Sequence, residues 1–400
     1  MNFIFISPNF PQNYAHFCHH LKLNGATVLG IGDAAYEELC PELQNALTEY
    51  YRVDNMEDYS QMYKAVAYYA FHYGRIAWIE SNNEYWLQTD ARLRTDFNVC
   101  SGIKMDRIDA IKEKSEMKKY YAKGGIRTAR QIKASEGIDA AFRFAGDAGY
   151  PLFVKPDVGV GAVGSHKLEH EGDLRHFFSS TPHISDYVIE EFVTGKICTY
   201  DAIIDSHGEP LFESMCVCPP SIADIVNYNL DSSYYVEKHM SENLRFWGRR
   251  TVKAFEIASR FVHLEFFCLD RPHRGLGDAG DFVALEVNMR PGGGFTPDMI
   301  NYAHSVDVYK IWADMIVFDR RTIPSTNDDY YCIFSGRRDG VAYHMSHEDI
   351  LNKYASAIVD APRLPDALSG AMGNQAYIAR FKSPEERDEF LFDTCNRMTL

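Results

Sequence analysis

The chain contains no uncharged apolar run of about 18 residues, so a membrane span is not expected. Its opening stretch, MNFIFISPNFPQNY, lacks a basic n-region, and its apolar part is too short for a signal peptide. It reads instead as a first strand. Cysteine is sparse and dispersed. There are nine, Cys216 and Cys218 form the only close pair, and no C-x-x-C occurs. An odd, scattered set without a secretory signal fits free thiols in a reducing cytoplasm. Positive charge is in deficit, 41 Lys and Arg against 56 Asp and Glu, for a net charge of −15. That balance argues against a general binder of nucleic acid or anionic membranes and leaves room only for a local basic pocket. The 25 tyrosines and 25 phenylalanines are spread through the helix and strand patterns, so they read as core and not as a base-stacking surface, which would need interleaved basic residues. There is no internal repeat and no low-complexity segment.

What is present is the composition of a globular protein, 46% hydrophobic and 24% charged, in a chain of 400 residues. That length exceeds one ordinary core and implies two or three packed units. NFIFI (2–6) reads as a buried strand. Tyr14, Phe17, Cys18 and Leu21 recur at helical spacing, with Gly25 as the stop. ATVLGIGD is a second strand. Tyr59, Met62, Tyr63, Val66 and Ala70 mark an amphipathic helix ending at Gly74, and RIAWIES is the next strand. Strands alternating with helices over the first hundred residues imply an open α/β unit with a parallel sheet. Its first turn, SPNFPQN, holds no glycine, which is a poor start for a dinucleotide phosphate site. Residues 107–123 read as one charged helix ended by Gly124 and Gly125. Residues 126–190 read as a compact α+β piece, with helices at 138–148 and 172–179. Residues 196–215 form a hairpin turning at SHGE. A long helix is expected over 241–262, then strands over 263–269 and 282–288. From about residue 326 the tail has hairpin and helix signals of its own.

Two stretches carry chemistry. YPLFVKPDVGVGAVGSHKL (150–168) contains Gly159, Gly161 and Gly164 as G-x-G-x-x-G. A dinucleotide fingerprint requires a helix directly after the last glycine. Here SHKLE alternates polar and apolar, and a helix begins only after Gly172, so the glycines join two strands. Nor does GK[ST] follow, which excludes a Walker A loop. Backbone N–H groups of such a hairpin can close over phosphates because no Cβ intervenes. The alternative for this stretch is a loop that holds nothing. The second stretch is DFVALEVNMRPGGGFTPDMIN, in which Glu286, Asn288 and Arg290 alternate along one strand. Period two puts all three on one face. A carboxylate, an amide oxygen and a guanidinium in line suit Mg²⁺ and phosphate above that face, since Mg²⁺ takes hard oxygens and Arg grips phosphate bidentately. VHLEFF offers Glu265 as a second carboxylate. The alternative is the solvated outer face of an edge strand.

Together these pieces resemble the ATP-grasp superfamily over residues 1–325. The resemblance implies α/β and α+β architecture, with an N-terminal pre-ATP-grasp Rossmann-like domain (1–105), a linker helix and mobile lid subdomain (106–193), an α+β catalytic subdomain (194–325) and a C-terminal α+β segment closing it (326–400). Lys114 in IKEKSEM looks like the first phosphate-binding lysine, with Lys112, Lys118 and Lys119 nearby. Lys155 in FVKP looks like the second. Gly159, Gly161, Ala162, Val163, Gly164 and Ser165 would lie over the β- and γ-phosphates. Glu190, Glu191, Phe192 and Val193 would form the hinge against which adenine packs through main-chain groups. Glu265, Glu286 and Asn288 would hold Mg²⁺, with Mn²⁺ as a substitute. Arg290 would steady the transferred phosphoryl group, making Arg290 and Lys155 the catalytic pair. One departure stands out. The family often follows its hinge with G-x-E-x-[ST]-x-[DE], whose first Glu holds the ribose, whereas GKICTYD keeps Gly195, Thr199 and Asp201 but has Ile197 at the Glu place. Ribose recognition then comes from elsewhere or is looser.

The activity this resemblance implies is a cytoplasmic ligase that uses ATP to activate a small carboxylate as an acyl phosphate and joins it to an amine. RPGGGFTP resembles the branch with biotin carboxylase and bacterial L-amino-acid ligases, which points to an amino-acid-type carboxylate. Relatives of this kind often dimerise. A small-molecule kinase and a non-catalytic ATP-binding regulator are the other readings, and Ile197 leans toward the last. His16, His19 and His20 share one helix face but lack a further ligand, so an ordinary partly exposed face is expected. Cys216 and Cys218 read as small apolar fillers. Arg337 and Arg338 in FSGRRDG read either as a solvated turn or as a grip on a substrate carboxylate.

Overall fold

The computed structural model describes the chain except residues 160–163, 220–224, 226–228, 327 and 399–400 and the side chain of residue 367. Four parallel strands open it: β1 (Asn2–Ile6), β2 (Thr27–Gly32), β3 (Glu49–Arg52) and β4 (Ile76–Glu80), in the order β3-β2-β1-β4. The helix Ala15–Leu23 joins β1 to β2 and stops at Gly25, whose φ of +84° favours a residue without a Cβ. The helix Tyr59–Tyr73 is capped at its start by the Asp58 carboxylate, which accepts from the Ser60 N–H, and ends at Gly74. Its buried face is Met62, Ala65, Val66 and Tyr69. Tyr63 turns outward, 42% exposed, so the apolar stripe is rotated from the one its aromatics suggest.

A second sheet, order β5-β8-β6-β7, contains β5 (Gln131–Lys133), β6 (Leu152–Pro156), β7 (His166–Leu168) and β8 (Tyr187–Glu191). The glycine stretch does join two strands, because β6 and β7 pair antiparallel with Val154 opposite His166. The helices Ile138–Ala148 and Glu171–Ser180 cover this sheet around Leu152, Val154, Leu174 and Ile189.

The largest sheet has eight strands, order β13-β12-β9-β10-β11-β14-β16-β15. Its members are β9 (Gly195–Ile204), β10 (Pro210–Cys218), β11 (Ser232–Val236), β12 (Arg260–Leu269), β13 (Phe282–Asn288), β14 (Tyr331–Arg337), β15 (Ile358–Asp360) and β16 (Gln375–Phe381). Three strands of the tail thus extend the sheet that carries β12 and β13. One face packs on the first unit through the helix Val308–Phe318, whose Trp312 meets Phe3 and Phe17 edge-on at 5.7 and 4.8 Å. The SPNFPQN turn docks the same way, with Asn13 donating to the Gly294 carbonyl and the Asp298 carboxylate.

Two sequence expectations are corrected. The helix expected over 107–123 is two helices, Asp109–Lys112 and Lys114–Lys123, broken at Glu113, which is extended. The break frees the N–H groups of Lys114 and Ser115 to reach Asp157, the first at its carbonyl (3.0 Å) and the second at its carboxylate (2.8 Å). The helix expected over 241–262 ends at Ala254. Glu256 and Ser259 take φ of +50°, and the chain reverses straight into β12, three residues before the strand expected over 263–269.

Gly248 lies where the helix Glu242–Ala254 crosses β9, and a Cβ there would stand 2.3 Å from the fully buried Tyr200 ring. Alanine favours a helix over glycine by about 1 kcal/mol, so the substitution would normally stabilise. Here overpacking dominates, and Gly248→Ala is expected to lower the unfolding free energy by about 1–3 kcal/mol in urea titrations. An unchanged midpoint would show that the ring can retreat.

Candidate active site

Lys155 leaves β6 on the face it shares with Glu190 of β8. The register sets Lys155 opposite Val188 and Phe153 opposite Glu190, so the two charged side chains meet diagonally, Nζ to Oε2 at 2.7 Å. Lys118, one turn into the helix Lys114–Lys123, reaches the other oxygen at 2.9 Å. Both lysines and Glu190 are largely buried. Burial alone would raise the Glu190 carboxyl, but Lys118 and then Lys155 outweigh it and hold it at about 2. Two cations on one carboxylate leave a surplus positive charge where a phosphate is expected. The rest of the hinge is divided. Glu191 turns away to Arg130, accepting its backbone N–H at 2.7 Å and its guanidinium at 2.8 Å. Phe192 lies near Phe153, with the Lys167 ammonium 4.7 Å above its ring. Val193 is buried with Leu269 and Val283.

Lys114 links the glycine hairpin to the acidic strand. Its Nζ stands 3.4 Å from both the Gly159 carbonyl and Glu286 Oε1. Asp157 anchors the hairpin to the same helix, since the Ser115 hydroxyl donates to its carboxylate at 2.6 Å. Gly164 takes φ +76° and Ser165 is buried. Gly161, Ala162 and Val163 lie outside the described residues.

Glu265 of β12 stands directly opposite Glu286 of β13. Asn288 donates to Glu265 at 3.4 Å, and Arg290 donates to the Asn288 amide oxygen at 3.2 Å, so the three side chains meet, although β13 ends at Asn288 and Arg290 lies just beyond it. Burial pushes the Glu286 carboxyl up; Lys114 opposes this and Glu265 adds to it. Glu265 moves the other way. Burial works against it, but His263 outweighs burial and holds it below the usual range. His263 sits between Asp201 (2.7 Å) and Glu265 (3.5 Å). Burial would lower its imidazole, and Asp201 with Glu265 instead raises it to about 9, so it is cationic at neutral pH. Two facing carboxylates with one amide oxygen form a hard-oxygen set that fits Mg²⁺, which takes its remaining ligands from phosphates and water. Among the described residues no group of three or more His, Cys, Asp and Glu side chains forms an all-protein metal cage.

Several participants were not singled out in the sequence. Glu84, on the loop after β4, lies 3.4 Å from Arg290 Nε and 2.9 Å from Lys112, and thereby brings the first unit to the site. Lys118 stood out only as a neighbour of Lys114, and His263 only as a letter in VHLEFF. An i, i+4 pair of lysines, 114 and 118, on one helix face was the signal available for Lys118. Ile197 pairs in register with Cys218 and Phe267, so the strand neighbours of the place usually held by the ribose carboxylate are apolar. Arg337 and Arg338 do not join the site. The first donates to the carbonyls of Thr394, Met345 and Asp393, the second to those of Leu230, Ser369 and Gly370. His16 and His20 pair with Glu42 and Asp307.

The depressed Glu190 carboxyl sets a pH dependence. A folded-state value below the unfolded one stabilises fully above about 4.5 and loses that contribution as pH falls toward about 2. The fall from 4.5 to about 2 corresponds to about 3 kcal/mol. Glu190→Gln is expected to cost about that much in urea unfolding at pH 7. The gap to wild type should close between pH 4.5 and 2. A difference independent of pH would make the effect steric.

No family model matches the chain. Among curated proteins it is similar to D-alanine–D-alanine ligase of Geobacillus thermodenitrificans (strain NG80-2), 27% identical over 209 residues, 50% of this chain and 53% of that one. The corresponding ligase of Francisella tularensis subsp. novicida (strain U112) is 24% identical over 148 residues, 36% and 46% of the two chains. The chain thus spans about half the length of the curated relatives it matches. Among solved structures, the L-amino acid ligase from Bacillus licheniformis superposes with a TM-score of 0.70 at 14% identity, covering 100% of this chain and 98% of that one. The biotin carboxylase domain of the Hydrogenobacter thermophilus 2-oxoglutarate carboxylase, a dimer solved with MgADP and bicarbonate, does so with a TM-score of 0.70 at 14% identity, covering 99% and 90%. At such identity the likeness is one of fold, and it runs from the parallel sheet to the last strand of the tail. The chain therefore has the mixed α/β fold of these ATP-grasp proteins over its whole length.

Proposed function

We propose that the protein is an ATP- and Mg²⁺-dependent ligase that activates a small carboxylate, of amino-acid type, and joins it to an amine with release of ADP and phosphate. The observation that carries this reading is the convergence of Lys114, Lys155 and Arg290 around the Glu265–Glu286 pair. A pure nucleotide sensor has little need of that arrangement. Lys114 and Lys155 would bind the triphosphate, with the glycine hairpin laid over it to exclude water. Glu265, Glu286 and Asn288 would hold Mg²⁺, which when bound offsets phosphate charge. Arg290, steadied by Glu84 and Asn288, would face the transferred phosphoryl group. The substrate carboxylate oxygen takes the γ-phosphoryl and ADP departs; the amine nitrogen then takes the acyl carbon and phosphate departs with the amine proton released. The nucleophiles are the substrates' own. Cys218 lies on the same sheet face, but its thiol is pushed up to about 12 by burial and then by Glu265 and Asp201, so it stays protonated.

The D-alanine and L-amino acid ligases among the similar proteins support an amino acid as the carboxylate, and the biotin carboxylase dimer makes a homodimer the assembly to test by light scattering. All nine cysteines are free, which supports a cytoplasmic setting, and among the described residues no helix is long and apolar enough to cross a membrane.

Phosphate release from Mg·ATP, measured against amino acids and small carboxylates singly and in pairs, tests the reading. Release that requires two components, with a product mass equal to their sum less water, is expected. Release with one component and a phosphorylated product would make the protein a kinase. Glu286→Gln is expected to lower turnover by about two to three orders of magnitude, on the scale of removing one electrostatic stabiliser. Unchanged turnover in that variant would remove Glu286 from the site.

A further inference from the structure

A second concavity lies behind the strand end that carries Asn288 and Arg290. Met289, between them in sequence, lines a cleft of about 700 Å³ whose walls include none of the residues gathered around Glu265 and Glu286. The other walls are the start of β4 with residue 75 before it, the segment 100–107 and the turn 255–260. Since β4 runs from Ile76 toward Glu80 and the Glu84 loop, the cleft sits at the opposite end of the parallel sheet from the loops that approach Arg290. The volume falls within the range of small-molecule sites.

Its charge is opposite to that of the chain. Arg75, Lys104, Arg107 and Arg260 line it against Asp106 and Glu256, a surplus of two positive charges in a protein of net charge −15. Only Arg107 has a carboxylate of the cleft as partner, Glu256 at 3.4 Å. Lys104 donates to the neutral Asn98 amide at 3.0 Å, and Arg75 is exposed. Arg260 is 3% exposed and shares Glu80 with Arg94, and its second terminal nitrogen has no partner among the described residues. Gly102, also in the lining, lies against that nitrogen: a Cβ there would come within 2.5 Å of it, and its φ of +93° suits glycine. A buried guanidinium nitrogen without an acceptor is costly, which favours an anion nearby. Beside Ser101 and Ser259, apolar wall comes from Trp78, Ile103, Ile257 and Met289. The Trp78 ring is fixed by stacking on Phe3, centroids 6.2 Å apart at 15°. A rigid aromatic wall beside clustered cations selects a ligand with both a ring and a charge.

We propose that this cleft binds a small anion with a planar apolar body, a ring-bearing phosphate or carboxylate, separately from the nucleotide site. The proposal does not depend on the ligase reading, and its test requires no turnover. Phenyl phosphate and benzoate are titrated calorimetrically into the full chain, with phenol as a control for the ring alone. Saturable one-to-one binding of at least one anion is expected, with phenol at least tenfold weaker; the tighter anion identifies the head group. The double variant Arg75→Ala/Arg107→Ala should weaken binding at least tenfold, and Lys155→Ala should leave it unchanged. Arg75→Glu, a reversal at an exposed position, should weaken it as well and stands in if the double variant fails to fold. Absence of saturable binding by both anions overturns the proposal. So does binding that survives Arg75→Glu or is lost in Lys155→Ala, which would place the anion in the nucleotide site.

Discussion

Two glutamates face each other across β12 and β13, and the surrounding site is arranged around their repulsion. Like charges directly opposite in a sheet destabilise it, and burial makes the repulsion worse. The fold offsets it with cations drawn from three separate stretches: Lys114 from the helix after the first unit, His263 from β12 itself and Arg290 from beyond the end of β13. Each cation is in turn held by something else, His263 by Asp201 and Arg290 by Glu84. In the proposed ligase, a divalent cation and a polyphosphate would bring opposite charges that fit between those already present.

A third carboxylate, Glu190, shows the same economy with the signs reversed. Two lysines converge on one acid, so the local charge is positive before any nucleotide arrives. Asp157 then ties the geometry together. By accepting from Lys114 and Ser115 it breaks a helix, fixes the start of the next and anchors the base of the glycine hairpin. The hairpin, the first lysine and the acidic strand are thereby linked through short polar contacts, while the hydrophobic packing lies elsewhere, on Trp312 and the two faces of the large sheet.

Much of this was legible in the sequence where the signal is local. Alternation along LEVN placed Glu286 and Asn288 on one face of β13, with Arg290 just past its end, and the alternating SHKLE after Gly164 made the glycines a hairpin and not a helix start. The superfamily likeness rests on such local pieces occurring in order. What the sequence concealed was non-local. Nothing near Glu113 announces a helix break, because its cause, Asp157, lies more than forty positions on. Nothing in SNNEYW marks Glu84 as the partner of Arg290, and nothing marks the first unit as the source of a residue in the site.

The sequence by itself therefore determined the kind of molecule this is: the run of strands and helices, the polar face of β13, the lysines and the glycine hairpin, all set by period and spacing along a few residues at a time. Only the tertiary structure decided which charge answers which. It chose Lys118 with Lys155 for Glu190, and it turned Arg337 and Arg338 into struts for backbone carbonyls. It also left an Arg260 nitrogen without a partner among the described residues, beside a cleft at the back of the sheet. The physical reason is that charge interactions depend on distance and burial in space, and a sequence fixes neither until the chain has folded.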